Sequence, residues 1–265
     1  MAAPSVEDAY RAGQLILVAE DNETNCDVLQ AQLALLGYAA DVAHDGVQAL
    51  AMWRTGRYAL LLTDWHMPHM DGLQLTAAIR QAEGPGAYLP IIAISANVLQ
   101  EHVKRCLASG IDDHLAKPLR LSELRALLKK LPRATDEPLD GTPSLAQPDA
   151  QNALPVWDAL AFREILGDDT DLQRHIMTKF LASSPKQLSA MAAAHFSGDL
   201  ALLADLSHSL KSGARAVGAM QFGDLCEQLD NAGSGGDALH CAGLAAQLPQ
   251  AWVAAEQAIK SHLAI

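Results

Sequence analysis

The chain has 265 residues, half of them apolar, and a formal net charge of −12. That length leaves room for two domains of ordinary size, each with its own core. The acidic excess runs through both halves and excludes a nucleic-acid-binding class. Cys26, Cys106, Cys226 and Cys241 are scattered with no Cys-x-x-Cys pair, which argues for buried free thiols in a reducing compartment rather than a disulfide framework or a zinc cluster. No apolar run approaches the roughly 18 residues of a membrane span. Met1 to Gly13 also lack the basic-then-apolar order of a signal peptide. The expectation is a cytoplasmic chain without direct membrane contact, one that the cytosolic end of a longer membrane protein also meets.

Beyond an N-terminal extension over residues 1–13, the first half alternates short apolar runs with helical patterns, the sign of a parallel sheet covered by helices. The spacing predicts strands at Leu15 to Ala19, Ala39 to Ala43, Tyr58 to Thr63, Ile91 to Ser95 and His114 to Ala116. Between the first two, Thr24 to Leu36 repeats Val28, Leu29, Leu33 and Leu36 at helical spacing and stops at Gly37. This domain is expected over residues 14–131. From 132 to 155 the periodicity gives way to Pro132, Pro138, Pro143, Pro148 and Pro155 among polar residues, a linker. From 156 to 265 the chain changes class, and Leu172 to Phe196, Leu200 to Val217, Phe222 to Leu229 and Leu239 to Leu263 all predict helices of an antiparallel bundle.

The chemistry of the first half collects where strands end. Glu20-Asp21 follow the first strand and Asp64 closes the third, so one sheet edge receives three carboxylates, in the place where open α/β sheets bind ligands. Three such groups repel one another unless a cation sits among them. The arrangement therefore implies a hard divalent metal with oxygen ligands, Mg²⁺ being the natural choice. Ser95 closes the fourth strand, and Lys117-Pro118 closes the fifth. Taken singly, each of these residues is a helix cap or a turn former. Their order, together with Met67-Pro68 and Asp71-Gly72, completes an Asp-x-x-Met-Pro-x-x-Asp-Gly pattern that resembles the receiver domain of two-component response regulators.

The resemblance implies a flavodoxin-like five-stranded parallel domain in which Asp64 accepts a phosphoryl group as an acyl phosphate. It further implies that Glu20, Asp21, Asp64 and the backbone carbonyl of His66 hold Mg²⁺, that Ser95 and Lys117 contact the phosphoryl oxygens, and that the Lys117-Pro118 bond is cis. His114 stands where many receivers carry an aromatic switch residue, so the switch is expected to be altered. Asn97 and His66 occupy positions that tune phosphate hydrolysis in this family, and the phosphate lifetime is expected to depend on both. For the pair His66-x-x-His69 the expectation is solvent exposure rather than a zinc site.

In the helical half, Leu203, Leu206, Leu210, Ala214 and Val217 form one apolar stripe. At about 100° per residue, His208, Lys211, Ser212 and Arg215 fall together on the other face, which is expected to be exposed. Neutral imidazole is a good phosphoryl acceptor, and Lys211 and Arg215 could stabilise the arriving charge. The run from His208 to Ala214 with Gly218 resembles the His-x-Leu-Lys-Gly pattern of histidine phosphotransfer (HPt) domains, with Ser212 in place of the usual glycine. Receiver, linker and phosphotransfer bundle in this order resemble the C-terminal part of bacterial hybrid sensor histidine kinases of the virulence-sensor type. Neither a P-loop nor a glycine-rich ATP lid is present, so the chain contains no ATP-binding kinase domain.

The implied function is a phosphorelay. Asp64 takes a phosphoryl group from the dimerisation and phosphorylation domain of an upstream histidine kinase, and His208 passes it to the receiver of a downstream response regulator. One rival is a docking switch in which His208 is idle. The other is an aspartyl phosphatase of the haloacid-dehalogenase kind, which wants a second Asp two residues on, where this chain has His66.

Overall fold

The computed structural model describes residues 3–84, 86–95, 109–130 and 154–264. Helix α1 (Val6–Arg11) precedes β1 (Ile16–Ala19), α2 (Glu23–Leu35), β2 (Ala40–Ala43), α3 (Gly46–Trp53), β3 (Leu60–Asp64), α4 (Gly72–Ala82), β4 (Ile91–Ser95), β5 (Asp113–Ala116) and α5 (Leu121–Lys130). The five strands form one parallel sheet in the order β2-β1-β3-β4-β5. The apolar runs of the central strands β1, β3 and β4 are continuous because both their faces are covered. Leu17, Leu61 and Ile91 pack on one face with Leu75 and Ile79 of α4, while Val18, Leu62 and Ile92 pack on the other with Leu33 of α2 and Leu127 of α5. Alternation along each strand sends neighbours to opposite layers.

The second half is helical throughout its described residues: α6 (Ala159–Leu166), α7 (Thr170–Ser197), α8 (Leu200–Ala216), α9 (Met220–Ser234), α10 (Ala238–Ala245) and α11 (Leu248–Leu263). The apolar stripe of α8 faces inward as expected, with Leu203, Leu210, Ala214 and Val217 buried among Phe162, Phe180, Phe222 and Trp252. No helix among the described residues is long and apolar enough to cross a membrane.

The structure adds two helices to the expected elements and divides a third. The extension contains α1, capped by Ser5 and docked through Ala9 against Leu15 and Ala39. Helix α6, eight residues long, is too short for periodicity to reveal; the Asp158 side chain caps its first turn. The predicted helix Leu239 to Leu263 is two helices, broken at Ala246-Gln247, because Pro249 has no N–H to offer a preceding turn and fits the first turn of α11 instead. Asn97 and residues 132–153 of the expected linker lie outside the described residues.

The two domains are packed together along α2. Val28 and Ala31, on its outward face, join the apolar core of the helical domain. Asp27 pairs with Lys179 of α7 at 2.6 Å, and Arg120 with Glu164 of α6 at 3.1 Å. Both pairs are exposed enough that water screens them, so the apolar contact carries more of the docking energy.

Candidate functional site

Parallel strands β1 and β3 are neighbours in register, with Ala19 beside Thr63, so the residues that follow or close them emerge at one edge. Carboxylate oxygens of Glu20, Asp21 and Asp64 lie within 4.8 Å of one another. The sheet order thus brings together the three acids that the sequence places apart. Lys117, from the loop after β5, reaches back across β4 and lies 2.6 Å from both Glu20 Oε2 and Asp64 Oδ2. The Lys117-Pro118 bond is cis. Ser95 ends β4 and is buried, and His114 lies half-buried in β5.

Burial sets the electrostatics of this cluster. It pushes the Glu20 carboxyl up to about 7, with Asp64 adding to the rise and Lys117 opposing it. Burial likewise raises Asp21, with Asp64 again contributing. For Lys117, burial works against the charge, but the carboxylates of Asp64 and Glu20 outweigh it and hold the amine above the ordinary lysine value. Three convergent oxygen donors with surplus negative charge, balanced by one cation, fit a hard divalent ion.

The Asp-Gly of the motif has a steric reason. Asp71 caps α4 in a capping box with Gln74, and Gly72 then passes so close to β3 that a Cβ there would lie 2.2 Å from the Asp64 carbonyl oxygen. Backbone cannot yield as a flexible side chain does, so Gly72→Ala is expected to destabilise the fold by about 1–3 kcal/mol, read as a lower urea midpoint. An unchanged midpoint would show that the loop relaxes freely.

The helical domain presents His208 at this edge. A cavity of about 620 Å³ between the domains is lined by Asp21, Trp65, His66, Met67 and Ser95 on one side and by Asp205, His208, Lys211 and Asp230 on the other. Asp64 lies one step behind that wall, beside Asp21. The rings of His66 and His208 meet edge to face at 4.8 Å. His66 is exposed, as expected, with one edge of its ring held against the other domain; partial desolvation there, and then His208, lowers its pKa. His69 is exposed as expected, bonded to Asp45 at 3.2 Å.

One participant was not anticipated. Asp230 of α9 accepts from His208 Nδ1 at 2.8 Å and from Lys211 Nζ at 2.9 Å. Burial alone would raise Asp230, but the bonds from His208 and Lys211 outweigh it and hold the carboxyl below its usual range. An ionised acceptor on Nδ1 keeps the ring proton there and leaves Nε2 unprotonated. The only sequence signal was an acid following Leu229 on a neighbouring helix, which periodicity cannot single out.

The expected exposed cationic face is corrected. Lys211 and Ser212 are buried, and Lys211 is held by Asp230. Arg215 is paired with Glu227 at 2.7 Å. Helix α9 covers this side of α8 with acids, and α2 of the first domain covers what remains, so neither cation stands free to meet an incoming charge.

Residues 16–129 match the response regulator receiver domain and residues 175–258 the Hpt domain. The virulence sensor protein BvgS of Bordetella pertussis is 28% identical over 225 residues, 83% of this chain and 18% of that protein. The sensor histidine kinase AruS of Pseudomonas aeruginosa is 33% identical over 242 residues, 89% of this chain and 22% of that one. The chain therefore spans about a fifth of the length of these relatives. The receiver domain of another sensor histidine kinase of Pseudomonas aeruginosa, solved with a magnesium ion in its active-site cleft, is 42% identical and covered over 98% of its length, 45% of this chain, with a TM-score of 0.42. With its acidic sheet edge and its histidine-bearing bundle, the chain belongs to the response regulator receiver family over residues 16–129 and to the Hpt family over residues 175–258, a phosphorelay pairing matched in hybrid sensor kinases.

Proposed function

We propose that the chain relays a phosphoryl group in two steps: from the phosphohistidine of an upstream kinase to Asp64, and from Asp64 to His208, which then loads the receiver of a downstream response regulator. The observation that carries this reading is His208 at the mouth of the acidic site, its Nδ1 held by Asp230 and its ring against His66. In the first step an Asp64 oxygen attacks phosphorus and the bond to the donor nitrogen breaks. In the second, His208 Nε2 attacks, the phosphorus–oxygen bond breaks, and Asp64 is left as a carboxylate. The phosphorylated ring keeps its proton on Nδ1 and carries positive charge, for which Asp230 is the counter-ion. Ser95 and Lys117 hold phosphoryl oxygens in transit.

Magnesium fits the donor set: Asp21, Asp64 and the main-chain carbonyl of His66 would hold it, with Glu20 in support. When bound it supplies positive charge to the phosphoryl oxygens.

The test charges Asp64 with labelled phosphate from a small acyl phosphate donor and Mg²⁺, then separates base-labile from acid-labile label. Acid-labile phosphate on residues 156–265, absent in His208→Gln, is expected. Label confined to Asp64 in the wild-type chain would refute the relay and leave a docking switch. Asp64→Asn is expected to abolish all labelling.

A further inference from the structure

Two amide side chains, one capping α2 and one within it, reach from the receiver to main-chain carbonyls of the helical domain. We propose that Asn22 and Gln32 form a two-point clamp by which the receiver orients its own phosphotransfer domain, so that His208 faces Asp64. The clamp rests on the relay reading above and adds positioning residues to it.

Asn22 uses its whole side chain. Its Oδ1 accepts from the Asn25 N–H at 3.0 Å and so caps α2, while Nδ2 donates to the carbonyl and to the hydroxyl of Ser209, each at 2.9 Å. Asn22 follows Asp21 and Ser209 follows His208, so one amide ties the neighbour of an acidic-site residue to the neighbour of the acceptor. The Ser209 carbonyl also belongs to the ladder of α8, where its in-helix donor is residue 213. Gly213 leaves that carbonyl open from the side. A Cβ there would lie 3.4 Å from Asn22 Oδ1 and 3.6 Å from Nδ2, so alanine fits and longer side chains would push the amide away.

Gln32 makes the second point. It is fully buried, and its Nε2 donates to the Leu119 carbonyl at 2.6 Å and to the Ile165 carbonyl at 2.8 Å. Ile165 lies in the last turn of α6, where carbonyls lack in-helix donors. Leu119 follows the Lys117-Pro118 pair, so Gln32 binds the lysine-bearing loop and the partner helix at once. Ten residues of helix separate Asn22 from Gln32, about 15 Å. One bond would fix contact; two that far apart also fix rotation. The other contacts do this less well: Val28 and Ala31 pack without direction, the pairs at Lys179 and Arg120 are exposed and weak, and the His66–His208 ring contact is a single point.

The full-length chain tests the clamp. Asn22→Ser keeps a capping oxygen but is too short to reach Ser209, and Gln32→Met keeps length and apolar packing without a donor. After charging with acetyl phosphate and Mg²⁺, the first-order rate constant for movement of label from Asp64 to His208 is expected to fall about tenfold in each variant, as the loss of one or two charge-neutral bonds across a seam implies. Nuclear relaxation of the ¹⁵N-labelled chain is expected to show the two domains tumbling together in the wild type and more independently in each variant, a readout that a defect within one domain would not move. Rate constants within twofold of wild type in both variants, or joint tumbling unchanged, overturn the clamp. If the wild-type chain never labels His208, the relay reading fails, and tumbling alone still decides whether the clamp holds the domains.

Discussion

Replacing Asp230 with asparagine is expected to slow transfer from Asp64 to His208 about a hundredfold while leaving the fold in place. The reason is the tautomer. In the native chain an ionised Asp230 can only accept, so a neutral His208 ring bonded to it carries its proton on Nδ1 and presents the Nε2 lone pair. An asparagine amide can turn its NH₂ to Nδ1, which moves the ring proton to Nε2 and removes the nucleophile. It also withdraws the counter-ion of the phosphorylated ring. Partners that orient and charge an imidazole in this way are worth tenfold to several thousandfold in related settings. Lys211 loses its 2.9 Å partner in the same substitution, so circular dichroism and a urea midpoint must accompany the single-turnover measurement. A transfer rate within threefold of wild type, with His208 labelling intact, would show that Asp230 is only a structural ion pair.

The second large effect is at Lys117. Its amine lies 2.6 Å from two buried carboxylates, and removing one partner of a buried ion pair costs about 3–5 kcal/mol, because the charge left behind is uncompensated. Lys117→Met should therefore lower the unfolding free energy of the chain by several kcal/mol in urea. The loss has a predictable pH dependence. The Glu20 carboxyl already titrates near 7 in the folded chain, above its unfolded value, so folding binds a proton that stabilises at low pH and is lost as pH rises through that value. Without Lys117 that carboxyl rises further, and the deficit should be larger at pH 8 than at pH 5. Mg²⁺, by restoring positive charge, should recover part of it. A deficit equal at both pH values would mean that the acids are not coupled to the lysine.

How much of this was legible in the sequence varies with the range of the forces involved. The three central strands were visible because a strand buried on both faces must be an unbroken apolar run; the partly buried edge strands β2 and β5 left only shorter, interrupted runs. The acids at Glu20, Asp21 and Asp64 were visible because each follows or closes such a central run, and the lysine at 117 and Asp71-Gly72 because their order and spacing complete a pattern with those acids. Helix α1 and helix α6 were not, since six to eight residues give too little periodicity to rise above chance. The break between α10 and α11 turned on one proline within a continuous apolar pattern.

The sequence by itself determined the chemical groups and the edge at which each would emerge, because strand alternation, capping and glycine sterics act over a few residues. It also determined that α8 would bury its leucine stripe and turn His208 away from it. Only the tertiary structure decided what His208 would meet there. Helix α9 supplied Asp230 and Glu227, which neutralised the cations expected to be free, and α2 of the receiver covered the rest of the face. Those pairings join residues up to 187 positions apart. Their partners are chosen by which apolar faces find one another, and a pattern read along one helix holds no record of the helix that will lie across it.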